Sequence, residues 1–269
     1  MKTKVQICLP GKKTRLDRIP TDLETNSDAK AESIALTDEV LRPRLRQLQE
    51  RFYAESKRGL IVVFQAMDTG GKDGAVRSLF AGLDPAGVHV TGFKGPTSAE
   101  LSRDYLWRVH QQVPPRGMIG VWNRSHYEDI LAVRVRKLVP EEVWKKRYDH
   151  VNDFERMLTD EGMVIVKYFL HISHDTQRKR LQERLADPSK HWKFDPSDLE
   201  DRKHWDEYQR AYEDILDRCS TPWAPWKVVP ADRKWARNLA LMEDLVAVLE
   251  KLDPKPPPAK FDLSGVVID

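Results

Sequence analysis

A glycine pair followed by a lysine separates a predicted strand from a predicted helix. The apolar run Leu60–Phe64 ends shortly before Asp68, and helical spacing resumes after Lys72. Gly70 and Gly71 let the backbone turn sharply and approach an anion, while the first amides of the new helix point toward it. Lys72 adds a compact positive charge. Strand, glycine loop and helix in this order are typical of a phosphate-binding site.

The segment matches the P-loop pattern G-x-x-x-x-G-K-[ST] with two exceptions. Ala66 replaces the first glycine, and Asp73 replaces the Ser or Thr that would ligate magnesium. A carboxylate about 4 Å from a phosphate oxygen is repelled by about 4 kcal/mol at an effective dielectric constant near 20. Asp68 and Asp73 are therefore compatible with a phosphate only if a divalent cation lies between them. The alternative is an ordinary turn with an exposed lysine, Lys72.

A second polar cluster, Asn123–Asp129, follows the predicted strand Met118–Trp122. In P-loop enzymes a carboxylate at the end of a neighbouring strand holds the metal. Here the first polar position is an amide, and carboxylates follow one turn later at Glu128 and Asp129. Positive charge comes from three arginines: Arg124, Arg134 and Arg136. The alternative is a surface loop with routine ion pairs.

A third candidate is a basic helix after the fourth predicted strand. Its cations face few acids, and arginine forks match the geometry of phosphate, so the segment suits a polyanion. They are Arg178, Lys179, Arg180, Arg184, Lys190 and Lys193. A solvated amphipathic helix, buried along Leu181 and Leu185, explains the pattern equally well. With a following helix that starts at the N-cap Asp195, the segment forms a hairpin able to close over the phosphate site.

The elements that position these residues predict an α/β fold. Five short apolar runs alternate with helical segments, which indicates a five-stranded parallel sheet in a three-layer α/β/α, P-loop kinase-like domain with a helical lid. The strands are Leu60–Phe64, Val88–Phe93, Met118–Trp122, Met163–Leu170 and Trp226–Val229. Ligands of such folds collect beyond the carboxyl ends of the strands. We expect an extended arm at 1–35, a catalytic domain at 36–252 with its lid at about 175–215, and a tail at 253–269.

Composition excludes several classes of protein. A net charge of only +3 argues against a polycation that coats nucleic acid. The two cysteines are far apart and lack metal spacing, which indicates a reducing compartment. The N-terminus lacks a signal-peptide pattern, and the most apolar strip is too short to cross a membrane, so we expect a cytoplasmic protein. The tail and a helix capped by Thr37 are candidates for a homo-oligomer interface, although nothing in them requires one.

Several strings resemble the polyphosphate kinase 2 family. They are QAMDTGGKDG at Gln65–Gly74, WNRSHYED at Trp122–Asp129, and Trp192–Phe194 with Trp205–Tyr208. The resemblance runs from about Leu36 to Glu250. NRSHYED and DYLWRVHQQVP resemble the class III subgroup, whose members phosphorylate both AMP and ADP. Asn123 departs from the one-step enzymes for ADP or GDP, which carry Asp there, and this moves the expected magnesium ligands to Asp68 and to Glu128 or Asp129.

The resemblance implies inorganic polyphosphate as donor, AMP or ADP as acceptor, ADP and ATP as products, and Mg²⁺ as cofactor. The implied catalytic residues are Asp68, Lys72, Arg124 and Glu128, and the implied metal ligands are Asp68 and Asp129. The implied phosphate, polyphosphate and nucleotide contacts are Thr69, Gly70, Gly71, Asp73, Arg77, Asn123, His126, Arg134, Arg178, Lys179, Arg180 and Arg184. Two other hypotheses remain open, an ATP-dependent nucleoside monophosphate kinase and a non-catalytic polyanion-binding protein.

Overall fold

A six-stranded mixed sheet forms the centre of the molecule. The computed structural model describes residues 5–23, 28–262 and 266–268. The strands are β1 (Gln6–Ile7), β2 (Gly59–Gln65), β3 (Val88–Gly92), β4 (Ile119–Asn123), β5 (Met163–His171) and β6 (Trp226–Pro230). Their order across the sheet is β1-β6-β5-β2-β4-β3. β2 therefore lies between β5 and β4, and all seven of its residues are buried. Both faces of the sheet are thus covered at its centre.

The predicted five-stranded parallel sheet needs one correction. The five predicted strands are β2 to β6, and each pairs in parallel with its neighbours. β1 adds a sixth strand that is antiparallel, with Gln6 opposite Val228 on β6. The Cys8 amide extends this pairing by donating to the Trp226 carbonyl at 2.8 Å. Two residues are too few to show strand periodicity, so the sequence indicated only an extended arm there.

The helices pack in two groups. In the first group, α11 contacts α1, α2 and α3. In the second group, α6 contacts α7 and α10. The α-helices are α1 (Ala29–Ala35), α2 (Arg42–Glu55), α3 (Lys72–Phe80), α4 (Ser98–Leu101), α5 (Trp107–His110), α6 (Glu128–Val135), α7 (Glu141–Asp160), α8 (His174–Ala186), α9 (Ser197–Lys203), α10 (Trp205–Arg218) and α11 (Lys234–Leu252). Shorter 3-10 turns lie at Leu16–Arg18, Pro85–Gly87 and Pro188–Lys193.

The first long helix starts earlier than predicted. A π-helical segment, Leu36–Leu41, joins α1 to α2, so helical structure is continuous from Ala29 to Glu55. Thr37 is therefore not an N-cap. Its hydroxyl donates to the Ser33 carbonyl at 2.7 Å, one turn back within the helix, which satisfies the polar group without a helix start. Residues 29–35 are correspondingly helical, where an extended arm was expected.

Polar side chains bond to amides at the starts of α8 and α9. Ser173 is the N-cap of α8, and its hydroxyl accepts the Thr176 amide at 3.1 Å. The prediction of Asp195 as an N-cap is wrong by one residue, because the N-cap of α9 is Pro196. The Asp195 carboxylate nevertheless accepts the Ser197 amide at 2.9 Å. None of the helices in the described ranges is long and apolar enough to span a bilayer.

Candidate active site

The loop between β2 and α3 has the geometry of an anion-binding turn. Thr69 and Gly71 have positive φ angles of 59° and 96°, which reverse the chain before α3 begins. A Cβ on Gly70 would lie 2.5 Å from the Ala66 Cβ and 2.7 Å from the Met67 oxygen. Only glycine fits at that position without displacing backbone. The glycine pair is therefore required by the fold of the loop as well as by close approach of a ligand.

Lys72 occupies the first position of α3 and is almost fully buried. Its Nζ donates to the Ala66 carbonyl at 2.8 Å and to the Met67 carbonyl at 3.4 Å, across the interior of the loop. Burial lowers the pKa of Lys72, and the nearby Arg124 charge lowers it further, whereas the Asp68 carboxylate opposes both effects. The ammonium thus lies within the turn, directly beside the amides that begin α3.

Arg124 brings the second polar cluster to this loop. It follows β4 with a φ of 63°, and its amide donates to the Phe64 carbonyl at 3.1 Å, which locks the end of β4 to β2. Its guanidinium donates to the Asp68 carboxylate at 2.8 Å. Burial disfavours the charged guanidinium, but the carboxylates of Glu128 and Asp68 outweigh that effect and raise the pKa of Arg124. These three predicted residues therefore form one electrostatic cluster.

Asn123 and Asp73 are also brought together. The Asn123 amide donates to the Asp73 carboxylate at 2.7 Å, and the Lys193 ammonium lies 3.9 Å from the other oxygen. Burial favours the protonated carboxyl, but the Asn123 hydrogen bond and the Lys193 charge outweigh it and lower the pKa of Asp73. The amide at position 123 therefore acts as a partner of the loop carboxylate.

Three residues of the second cluster point elsewhere. His126 is buried against Glu155, with 3.2 Å between its Nε2 and the carboxylate, and burial lowers the pKa of the imidazole. Arg134 pairs with Asp214 at 2.6 Å and donates to a tyrosine hydroxyl. The Asp129 carboxylate lies between two arginines, 3.6 Å from Arg108 and 3.7 Å from Arg147. His126 and Arg134 thus hold helices together, because the turn into α6 directs them away from the loop.

The predicted cations of α8 face three directions. Arg180 is buried behind the loop and donates to the Thr69 carbonyl at 3.0 Å. It was expected to face solvent with the other cations of this helix, and it does not. Arg184 donates to the Asp198 carboxylate of α9 at 2.9 Å. Arg178 is exposed and pairs with Asp175, and Lys179 lines a separate cavity of about 890 Å³. Arg77, on α3, is exposed one turn beyond the loop.

Sequence reasoning missed two residues that contact the loop. Gln177 of α8 donates to the Asp68 carbonyl at 3.1 Å, and Arg237 of α11 donates to the Gly71 carbonyl at 3.1 Å. Both lie about one turn into a helix that follows a parallel strand, the region where ligands of this fold class collect. That position was the only signal in the sequence, since neither residue belongs to a motif.

A cavity of about 530 Å³ opens beside the loop and is large enough for a nucleotide. Met67, Asp68 and Arg124 are among the residues that line it. Its walls combine apolar and aromatic side chains with cations, including Phe93, Leu131, Val139, Tyr208, Lys94 and Arg103. Small-molecule sites are usually apolar concavities with a few convergent polar groups. The cavity and the anion-binding loop therefore share one boundary, at Asp68 and Arg124.

The donor set for a metal is incomplete within the protein. In the described parts of the chain, no three His, Cys, Asp or Glu side chains converge at metal-binding distance. Mg²⁺, however, is commonly held by one or two carboxylates together with substrate phosphates and water. Asp68 and Glu128, which both act on Arg124, fit that arrangement. Asp129 does not fit as well, because two arginines already neutralise it.

Comparison with known proteins identifies relatives along nearly the whole chain. The family model for polyphosphate kinase 2 matches residues 27–257. An AMP/ADP-polyphosphate phosphotransferase of Meiothermus ruber is 55% identical over 230 residues, which cover 86% of each chain. An ADP-polyphosphate phosphotransferase of Rhodopseudomonas palustris is 40% identical over 90% of this chain and 88% of the relative.

A solved structure gives the same result for the fold. Polyphosphate kinase 2 from Arthrobacter aurescens TC1 superimposes with a TM-score of 0.90 at 40% identity, over 98% of this chain and 97% of that one. The loop before α3, the cluster after β4 and helices α8 and α9 all lie within residues 27–257, which the family model matches. The chain belongs to the polyphosphate kinase 2 family.

Proposed function

We propose that this protein transfers phosphoryl groups from inorganic polyphosphate to AMP and ADP, with ADP and ATP as products. The observation that carries the proposal is the shared boundary of the two sites. A loop with the geometry of an anion site meets a nucleotide-sized cavity at Asp68 and Arg124. The names of the relatives, which specify AMP, ADP and polyphosphate, support the same assignment.

The acceptor nucleotide occupies the 530 Å³ cavity, with its base against the apolar wall and its phosphate toward Arg124. The polyphosphate end lies on the loop, at the amides that begin α3 and at Lys72. An oxygen of the acceptor phosphate attacks the terminal phosphorus of polyphosphate, the P–O bond to the rest of the chain breaks, and that chain leaves one unit shorter. Transfer in line requires the two ligands to meet at Asp68, where the two sites join.

The protein's contribution is positioning and charge neutralisation. An acceptor phosphate has its second pKa near 6, so it is largely ionised at neutral pH and requires no general base. Lys72 and Arg124 neutralise charge on the transferred group. Asp68 and Glu128 would hold Mg²⁺ together with oxygens of the substrates, and the ion would supply further charge neutralisation.

The other predicted cations of α8 and a location in the cell complete the proposed function. Arg178, Lys179 and Arg184 lie on α8 and would contact the polyphosphate chain when the lid closes. Both cysteines, Cys8 and Cys219, are free and buried. Free thiols are typical of a reducing compartment, which favours the cytoplasm.

A donor assay tests the proposal. The protein is mixed with AMP or ADP, Mg²⁺ and either long-chain polyphosphate or ATP, and the nucleotides formed are separated by chromatography. We expect ADP and ATP to form with polyphosphate. Phosphorylation with ATP alone would instead support a nucleoside monophosphate kinase, and no turnover with either donor would support a polyanion-binding protein.

A variant of Lys72 tests the location of the chemistry. Lys72→Met removes the ammonium but keeps most of the buried side-chain volume. We expect kcat to fall by about 10²- to 10³-fold, the usual effect of removing one transition-state donor. Circular dichroism and thermal unfolding serve as the control for folding. A folded variant with wild-type turnover would place the chemistry elsewhere.

A further inference from the structure

Two buried arginines lie behind the loop between β2 and α3. Arg180 of α8 is 9% exposed and Arg237 of α11 is 2% exposed. Arg237 donates to the Gly71 carbonyl, and its Nη1 lies 2.2 Å from the position that a Cβ on Gly71 would take. Arg180 donates to the Thr69 carbonyl and also joins the loop to the end of β6 through the carbonyls of Ala231 and Asp232. The two guanidinium groups thus form the rear wall of the loop.

Neither group has an ion-pair partner. In the described part of the chain, no carboxylate oxygen lies within 4.0 Å of a guanidinium nitrogen of Arg180 or Arg237. The acceptors of Arg237 are the Gly71 carbonyl and the Asn238 amide oxygen. Burial lowers the pKa of both side chains, although the more distant carboxylates of Asp232 and Glu183 partly oppose this effect at Arg180. The nearby charge of Arg180 contributes to lowering the pKa of Arg237 to about 10.

A purely structural role does not require these charges. Buried charges without partners are unfavourable, whereas neutral donors can bond to carbonyls without that penalty. Gln177, from the same helix as Arg180, does so at the Asp68 carbonyl. Two positive charges behind the loop are therefore in excess of what its tethering needs, and an anion in front of the loop is the charge that would balance them.

The tethers also orient the loop amides. In a trans peptide the C=O and N–H bonds point in opposite directions. The carbonyls of Asp68 and Gly71 are held from behind, so the amides of Thr69 and Lys72, which share those peptide units, point to the opposite side. α3 also has no side-chain cap at its N-terminus. Its first amides are therefore directed toward the front of the loop, where a phosphate would bind.

We propose that Arg180 and Arg237 are positioning residues whose buried charges are balanced by the polyphosphate end bound on the other side of the loop. The inference rests on the proposed function, because it takes the loop as the polyphosphate site. It implies that the ligand-free protein is less stable than a variant with neutral side chains at these two positions would be. When the polyanion binds, its charge removes this destabilisation, and the free energy gained adds to its affinity.

The test combines thermal unfolding with kinetics, using inorganic tripolyphosphate as the probe. Arg237→Met removes the charge and the tether, Arg237→Gln keeps a neutral donor, and Arg237→Lys keeps a charge without the planar fork. Without ligand, we expect Arg237→Met and Arg237→Gln to have melting temperatures at or above that of the wild type. Both variants should lose most of the increase in melting temperature that tripolyphosphate produces in the wild type. KM for polyphosphate should rise about tenfold or more while KM for AMP changes less than about twofold. Arg237→Lys should restore part of the increase in melting temperature with tripolyphosphate.

Arg58→Met is the matched control. Arg58 lies next to the opposite end of β2 and pairs with Glu55 at 2.7 Å. This variant should melt below the wild type and keep the full response to tripolyphosphate. The inference would be overturned if Arg237→Met and Arg237→Gln also melted below the wild type and kept the full response, or if both failed to fold. Arg237 would then have only a structural role. A wild-type protein without any response to tripolyphosphate would overturn the proposed function as well, which separates the two failures.

Discussion

Gly70 shows how tightly the turn between β2 and α3 is constrained. The turn has no room for a methyl group at this position, since both the Ala66 side chain and the Met67 carbonyl would lie within 3 Å of it. The Met67 carbonyl also accepts the Gly70 amide at 2.9 Å and lies 3.4 Å from Lys72 Nζ. A displacement of this carbonyl would therefore move Lys72, the residue that we propose neutralises the transferred phosphate.

Replacing Gly70 with alanine should affect both stability and activity. We expect Gly70→Ala to lower the free energy of unfolding by about 1–3 kcal/mol through overpacking. Turnover should fall by about 10²-fold, because a shift near 1 Å in a catalytic group has that effect. Urea unfolding and steady-state kinetics measure the two quantities. Gly92→Ala is the control, since nothing lies within 4 Å of its added Cβ. Similar effects in both variants would contradict the steric argument.

The residues around this turn differ in how far they could be foreseen. The strand, the glycine pair and Lys72 follow from local pattern, and their arrangement is as expected. The contact between Arg124 and Asp68 follows from two strands ending side by side, which the parallel sheet implied. Arg237 could not be assigned, because its contact with Gly71 depends on the tertiary packing of α11 against α3.

Helix α8 illustrates the limit of periodicity. Leu181 and Leu185 predicted its buried side, but Leu185 is 53% exposed, whereas Gln177 and Arg180 are buried. The helix is rotated relative to the prediction because loop carbonyls accept the hydrogen bonds of these two polar side chains. A hydrophobicity pattern treats such residues as exposed, so it cannot indicate a helix face that packs against polar backbone.

Helices α8 and α9, which belong to the predicted lid, are joined by a carboxyl group that titrates in an accessible pH range. Asp198 is bonded to Arg184 at 2.9 Å. Burial, with a contribution from the Asp68 charge, raises the pKa of Asp198 to about 6, although Arg184 opposes the change. The ionised form is thus less favourable in the folded protein than in the unfolded chain.

This shift predicts a dependence of stability on pH. Between about pH 4 and 6, Asp198 is protonated in the folded protein but ionised in the unfolded chain. The contribution of Asp198 to stability is therefore full below about pH 4 and disappears as the pH rises through about 6. Relative to Asp198→Asn, the wild type should lose at most about 3 kcal/mol over this range. Urea unfolding at half-unit pH steps measures the difference. A difference between the two proteins that stays constant from about pH 4 to 7 would contradict the assignment.

The N-terminal arm belongs to the packed structure of the whole molecule. Leu16 is buried, its amide donates to Glu213 of α10 at 2.8 Å, and its carbonyl lies 3.1 Å from His171 Nε2 at the end of β5. Thr21 donates to Asp232 at 2.7 Å, and Asp232 in turn accepts the amide of Ser173 at the start of α8. The arm therefore connects helices α8 and α10, the sheet and the segment after β6. Its assignment as a separate unit at 1–35 stays a prediction.

Truncating one arm residue tests this integration. Leu16→Ala should lower the free energy of unfolding by about 2–5 kcal/mol, as expected for a buried leucine. Leu9→Ala, at a position that is 50% exposed, should change it by less than about 0.5 kcal/mol. Chemical denaturation of both variants measures the contrast. Equal small effects would show that the arm contributes little to the stability of the domain.

The pairing of β1 with β6 also has a consequence for the order of folding. β1 is the first strand to leave the ribosome and β6 is the last, so their contact closes a loop that includes nearly the entire chain. Loop closure of this length is costly in entropy and slow, and it can occur only after β6 has been synthesised. The β1 segment therefore stays without its partner strand until β6 has been synthesised, and its docking beside β6 adds the antiparallel edge of the sheet.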